Sequence, residues 1–324
     1  MDALSQTLDV VRMTGAIFIN ARFTAPWCYR SPSAASAARI LEPSAERVVI
    51  FHFIPEGECF VEMADGSVTH LRAGDVAIFP SGEAHRMSSQ PGLPAVSPTR
   101  PLEEILTRRP TRLTYGGGGA ATRVICGYMA CDERLGRMLL GGLPSPIQVN
   151  VRDSRCGGWL ESSLDYALQE ARSPHPGANA VLCKLAEVLF IEVLRLFTQG
   201  SPKSQRGWLA GVNDRVVGAA LREIHAAPAE PWTLEDLAHR VGSSRSVLAE
   251  RFLELVGTTP MQYLTQWRML LAANFLSRSQ APLSSIAAQV GYGTDTAFSR
   301  AFRREFGTPP ATWRRGKTTG RGIS

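Results

Sequence analysis

The stretch Ile286-Ala-Ala-Gln-Val-Gly-Tyr292, followed by Phe298-Ser-Arg-Ala-Phe-Arg-Arg-Glu-Phe-Gly-Thr-Pro-Pro310, decides how the last third of this chain folds. It is the second copy of a pattern. Leu234-Glu-Asp-Leu-Ala-His-Arg-Val-Gly242 aligns with Leu283-Ser-Ser-Ile-Ala-Ala-Gln-Val-Gly291 at an offset of 49. After one extra residue in the second turn, Leu248, Phe252, Val256, Gly257, Thr258 and Pro260 match Phe298, Phe302, Phe306, Gly307, Thr308 and Pro310 at an offset of 50. Each copy reads as a short amphipathic helix, a Gly turn, a second amphipathic helix and a Gly-Thr-x-Pro stop. Gly242 and Gly291 stand where a helix ends and the chain reverses, which calls for a positive φ. The first helix buries Leu237/Ala238/Val241 or Ile286/Ala287/Val290, and the second buries Leu248/Phe252 or Phe298/Phe302. The other face of each second helix is then free for a major groove. Two helix-turn-helix units are expected, at about 234–256 and 283–306, joined by a helix from Pro260 to Ser277. The competing reading is a duplicated helical bundle with a structural or docking role.

Charge agrees with the first reading. The chain has 324 residues and a net charge of +6. Trp232–Ser324 holds 12 Lys+Arg against 6 Asp+Glu, whereas residues 1–231 carry 23 of each. The whole excess therefore lies in the repeat region, as expected of a domain that meets a polyanion.

These residues resemble the AraC/XylS family of transcription regulators, over about 100 residues from near Trp208 to Arg315. The resemblance implies a DNA-binding domain over 208–316, with two recognition helices entering successive major grooves. Carried over by position, the first helix presents Arg245, Ser246, Ala249 and Glu250. The second presents Asp295, Thr296, Ser299 and Arg300, with Arg303 and Arg304 better placed for phosphates. Arg reads guanine bidentately, Glu accepts from cytosine N4, and Ala touches a thymine methyl. The family commonly has a long polar or basic residue where Ala249 and Glu250 stand, so the first helix is expected to read fewer bases than the second.

The N-terminal half has a different character. Short β-rich runs, Val48–Phe53, Cys59–Met63 and Val76–Phe79, are separated by Pro-Glu-Gly, Asp-Gly and Ala-Gly-Asp turns. Gly74-x5-Pro80-x-Gly82-x2-His85 is similar to the second motif of cupin barrels, and His52-x-Ile54-x3-Glu58 to the first, with Ile54 in place of its second His. The resemblance implies a cupin-like jelly roll over 1–155, of the kind that serves AraC-type regulators as a sensor. The fold class expected is thus α+β and multidomain: a barrel, a helical linker or dimerisation segment at 156–200, and an all-α domain. His52, Glu58 and His85 are candidate ligands for a divalent metal such as Zn, with Cys126 or Cys28 as a replacement for the missing ligand. Alternatively the cavity takes an organic effector or nothing.

Six cysteines without a C-x-x-C pair are expected as free thiols in a reducing compartment. Cys28 and Cys126 form a candidate redox pair, and Cys59 and Cys183 read as core. Ser88–Pro110 with Gly116–Gly119 reads as a long loop, Arg172–Gly177 as a break between helices, and Thr198–Gly207 as a linker. The helix Val181–Phe197 is expected to pack on the barrel or on a second copy of itself. Four charged residues interrupt it, so it is no membrane span. No secretory signal is visible, and the cytoplasm is expected. The function this implies is a sequence-specific transcription regulator that senses a small molecule, a metal or thiol oxidation. Its expected partners are promoter DNA, a second copy of itself and, if it activates, RNA polymerase. The alternative is a cupin-type metal-dependent enzyme or metal-binding protein with an accessory helical domain.

Overall fold

The computed structural model describes residues 2–10, 13–43, 45–94, 111–131, 133–170, 176–200 and 206–319. Most of the expected Ser88–Pro110 loop, the break around Arg172 and the centre of the Thr198–Gly207 linker lie outside them. The chain divides into two compact units, Arg12–Pro202 and Met1–Val11 with Lys203–Ser324.

The first unit holds two sheets. Strands β1 (Thr14–Thr24), β3 (Arg47–Glu56), β6 (Asp75–Phe79), β8 (Thr111–Gly116), β9 (Ala121–Cys131) and β10 (Ile147–Asn150) form one, in the order β10-β6-β3-β9-β1-β8. Strands β2 (Cys28–Ser31), β4 (Glu58–Glu62), β5 (Val68–Arg72) and β7 (His85–Ser88) form the other, in the order β2-β7-β4-β5. Between them lies an interior filled by Phe23, Trp27, Tyr29, Ile50, Ile54 and Phe79, with the rings of Phe23 and Trp27 stacked 4.3 Å apart. Helix α2 (Ala34–Leu41), capped at Ser33, closes it with Ala34, Ala37 and Leu41.

Strand β3 is buried at every position from Val48 to Pro55. Such a run needs cover on both faces. Helix α3 (Glu133–Leu140) follows β9 directly. Helices α4 (Gly157–Glu170) and α5 (Ala178–Gly200) come next, and α5 packs on β1, β9 and β10. The expected linker segment at 156–200 therefore belongs to the first unit, whose outer sheet face would otherwise be bare.

The second unit is helical: α6 (Trp208–Asn213), α7 (Arg215–Ala226), α8 (Leu234–Arg240), α9 (Arg245–Val256), α10 (Pro260–Arg278), α11 (Leu283–Gln289), α12 (Asp295–Phe306) and α13 (Pro310–Thr319). Helix α1 (Ala3–Val10) joins it by packing on α7 and α10, with Ala3, Thr7 and Val10 buried. By contacts these residues therefore go with the helical unit, ahead of the barrel start expected at residue 1. Capping boxes open α8 (Thr233 with Asp236) and α10 (Thr259 with Gln262), and Ser244 and Thr294 cap α9 and α12.

The two turn glycines have the positive φ that their places require, 66° at Gly242 and 79° at Gly291. They differ in surroundings. A Cβ on Gly291 would lie 2.7 Å from the Ala229 carbonyl oxygen, whereas one on Gly242 would meet nothing within 4 Å. Gly242→Ala is expected to cost about 1–2 kcal/mol from conformation alone, and Gly291→Ala clearly more. Thermal unfolding of the two variants, side by side, checks this ordering.

Candidate nucleic-acid interface and the barrel histidines

The recognition helices hang on a shared aromatic core. Phe298, Phe302 and Phe306 of α12 and Trp313 of α13 form one ring cluster, with centroids 4.4–5.9 Å apart. Phe252 of α9 packs edge-on against Tyr263 of α10 at 5.5 Å. With these faces fixed inward, Arg245, Ser246 and Glu250 of α9 are exposed and Ala249 is half-buried. On α12, Asp295, Thr296, Arg300, Arg303 and Arg304 are exposed and Ser299 is half-buried. The ten positions expected to face DNA thus stand on the two outward helix faces.

The arginines of the two helices are differently occupied. Arg245 pairs with Glu235 at 3.4 Å, and Arg251 is bonded to Asp214. Among the described residues, Arg300, Arg303 and Arg304 have no carboxylate partner within 4 Å. Helix α12 therefore presents three unneutralised guanidiniums and α9 presents none. Sequence reading also passed over Val247, which is 43% exposed between Ser246 and Leu248. The signal was there: the apolar face of α9 is satisfied by Leu248 and Phe252, leaving Val247 on the outward side, where its methyls suit a thymine methyl.

In the other unit His52 of β3 and His85 of β7 meet across the interior, their Nε2 atoms 2.8 Å apart. Cys126 is directly opposite His52 in the β3–β9 register, and its Sγ lies 3.0 Å from His52 Nδ1. His85 Nδ1 lies 3.0 Å from the Glu83 carbonyl oxygen. A carbonyl can only accept, so His85 donates from Nδ1 and its Nε2 accepts. His52 must then donate from Nε2 and accept at Nδ1, where the Cys126 thiol donates. The direction of the whole chain of hydrogen bonds follows from one carbonyl. Burial holds both imidazoles neutral: His85 is pushed down to about 4, and His52, facing His85 as well, lies well below the usual range. Burial also raises the Cys126 thiol far above its ordinary value.

This arrangement does not fit a metal centre. His85 faces one edge of the His52 ring and Cys126 the opposite edge, so thiol and second imidazole cannot reach one ion. Glu58 points to the surface, bonded to His70 at 2.9 Å with its side chain 63% exposed. Ile54 fills the fourth position and is fully buried. Among the described residues, no group of three or more His, Cys, Asp or Glu could hold a metal ion. The set His52, Glu58, His85 and Cys126 expected to bind a divalent ion such as Zn is thus not gathered.

Cys28 and Cys126 are not brought together either. Tyr29 faces the interior and Cys28, its neighbour on β2, the opposite side, among Arg86, Glu62 and Arg30. Burial raises the Cys28 thiol too, so neither sulfur has the stabilised thiolate that a redox sensor needs.

Residues 2–199 match the Cupin family, and residues 237–316 match the Helix-turn-helix domain family. A putative AraC-like transcription regulator of Streptomyces lividans is 34% identical, over 85% of this chain and 89% of its own length. The HTH-type transcriptional regulator AlkR of Acinetobacter baylyi is 30% identical over 97% of this chain and 99% of its own. The chain belongs to the AraC family of transcription regulators. Another relative is the RCS-specific HTH-type transcriptional activator RclR of Escherichia coli, 27% identical over 97% of each chain. Among solved structures, the DNA-binding domain of AdpA in complex with a target DNA is similar, at 28% identity over 35% of this chain and 100% of that one, with a TM-score of 0.33. This AraC-type regulator is a DNA-binding protein with a cupin-like N-terminal domain. Among its described residues no helix is long and apolar enough to cross a membrane.

Two outcomes are expected of the histidine chain. Cys126→Ser keeps a donor for His52, whereas Cys126→Ala orphans a buried acceptor and should cost about 1–3 kcal/mol more, read as the difference between their melting temperatures. The unfolded chain protonates His85 near 6.5 and the folded chain only near 4. Stability is therefore full above pH 6.5 and falls as the pH drops towards 4, by about 3 kcal/mol for this group. Urea titrations between those limits should show the slope in the wild type and a shallower one in His85→Gln.

Proposed function

We propose that this regulator binds promoter DNA as a cytoplasmic homodimer, reading its operator chiefly through α12. The observation that carries the reading is the contrast between the two recognition helices. Guanidiniums already bonded to carboxylates must give up those bonds before they can serve a base or phosphate, while those of α12 are free to do so. Val247 and Ala249 leave α9 with apolar contacts to thymine methyls, a narrower vocabulary than bidentate Arg. Dimerisation through α4 and α5 is supported by Trp159, Tyr166, Val181 and Val188, which are 37–64% exposed and spaced seven residues apart on each helix. The cupin-like unit receives the signal. Among the described residues neither a metal centre nor a thiolate pair is gathered there, which favours a small molecule. Such a molecule acts only if it binds the DNA-competent and incompetent states unequally. If the regulator activates, RNA polymerase is a further partner.

The experiment is operator selection with the full chain, followed by binding titrations over a range of salt. Arg300→Ala should cost about 1–3 kcal/mol and relax specificity at one base pair, and Arg303→Ala should weaken all sequences alike and lower the salt slope by about 1. Arg245→Ala should do less than Arg300→Ala. An equal or larger loss from Arg245→Ala overturns the assignment of the principal reader.

A further inference from the structure

The interior of the sensor unit is packed, but its outer sheet face is not uniformly covered. A cavity of about 510 Å³ lies there, lined by Arg22, Glu56, Thr114, Arg123 and Asp165 among others. This is the size of many small-molecule sites. Strand register places four of these side chains in one row. Glu56 of β3 is opposite Arg123 of β9, Arg123 is opposite Arg22 of β1, and Arg22 is opposite Thr114 of β8.

Two guanidiniums directly opposite on neighbouring strands repel each other. Only one of them is neutralised. Arg123 pairs with Asp165 of α4 at 2.6 Å and donates from Nε to Asn20 Oδ1 at 3.1 Å. Arg22 is exposed and, among the described residues, has no bonded partner. Glu56, at the other end of the row, is likewise exposed and unbonded among them. The row thus reads free carboxylate, satisfied ion pair, free guanidinium, hydroxyl. Adjacent strands are about 4.8 Å apart, so Glu56 and Arg22 stand roughly 10 Å apart across the sheet.

We propose that this cavity binds a small carboxylate-bearing molecule, with Arg22 and Thr114 receiving the carboxylate and Glu56 receiving an amino or hydroxyl group at the ligand's far end. A guanidinium offers a carboxylate two parallel N–H donors, and a carboxylate there removes the repulsion between Arg22 and Arg123. The Arg123–Asp165 pair floors the site and fixes it to α4. The inference rests on the reading of this unit as the receiver of the signal, and names the ligand class for it.

The test is calorimetric titration of the full chain with 6-aminohexanoate, hexanoate and hexylamine. Saturable binding of both carboxylates, tighter for 6-aminohexanoate, and none of hexylamine is expected. Arg22→Gln should weaken both carboxylates at least tenfold, with Arg39→Gln, an exposed charge change outside the cavity, leaving them unchanged. Glu56→Gln should abolish the advantage of 6-aminohexanoate over hexanoate. Thr114→Phe, which fills the cavity without altering charge, should also abolish binding. Absence of saturable carboxylate binding to the wild type, or equal binding by Arg22→Gln, overturns the proposal. Operator binding is measured on the same samples. Protein that binds operator but no carboxylate refutes this site and leaves the regulator reading standing, while carboxylate binding without any change in operator affinity supports the site and counts against the unit as a sensor.

Discussion

The helical unit depends on one hydroxyl. Trp208 Nε1 can only donate, and it lies 2.7 Å from the Tyr263 oxygen, which also lies 2.7 Å from His225 Nε2. Three helices, α6, α7 and α10, are fixed to one another by those two bonds. The His225 ring lies flat on Trp267 at 3.8 Å, and burial pushes its pKa down to about 3, so it stays neutral between Tyr263 and Trp267. Neither seven-residue helix of the repeat can bury enough of itself to stand alone. Both copies lean on α10, and the outward faces of α9 and α12 are only as well aimed as that helix is well held.

The repeat was legible because its physics is local. Helix period, cap and glycine turn all fall within a dozen residues, and the boundaries at Ser244, Pro260 and Asp295 follow from side chains that satisfy their own helix ends. Strands β3, β4 and β6 were legible for a similar reason, each being bounded by a turn. Strands β1, β2, β8 and β10 were not. Their pairings are non-local, β1 with β8 being parallel across about 90 residues, and parallel partners leave no turn signal between them.

The barrel site shows the limit more sharply. Motif spacing pointed to His52 and His85 and both are there, facing one another. What it could not convey was which edge of a ring meets which neighbour. Cys126 was chosen as a substitute ligand by its type, but the register sets it behind His52 instead of beside His85. Glu58 keeps its place in the motif and turns to His70 on the surface. The row Glu56–Arg123–Arg22–Thr114 was invisible for the same reason, since its members are scattered between Arg22 and Arg123 and gathered only by register.

Helix α1 has a consequence for how the protein is made. The barrel unit is one segment, Arg12–Pro202, while the helical unit takes residues from before and after it. During synthesis the first helix leaves the ribosome before anything it packs on exists, and the barrel can fold in the meantime. Only when α7 and α10 have been translated does Ala3–Val10 find its place. A product interrupted after the barrel thus carries a cupin-like unit and a helix α1 with nothing to pack on, and the helical unit closes only once α10 has been made.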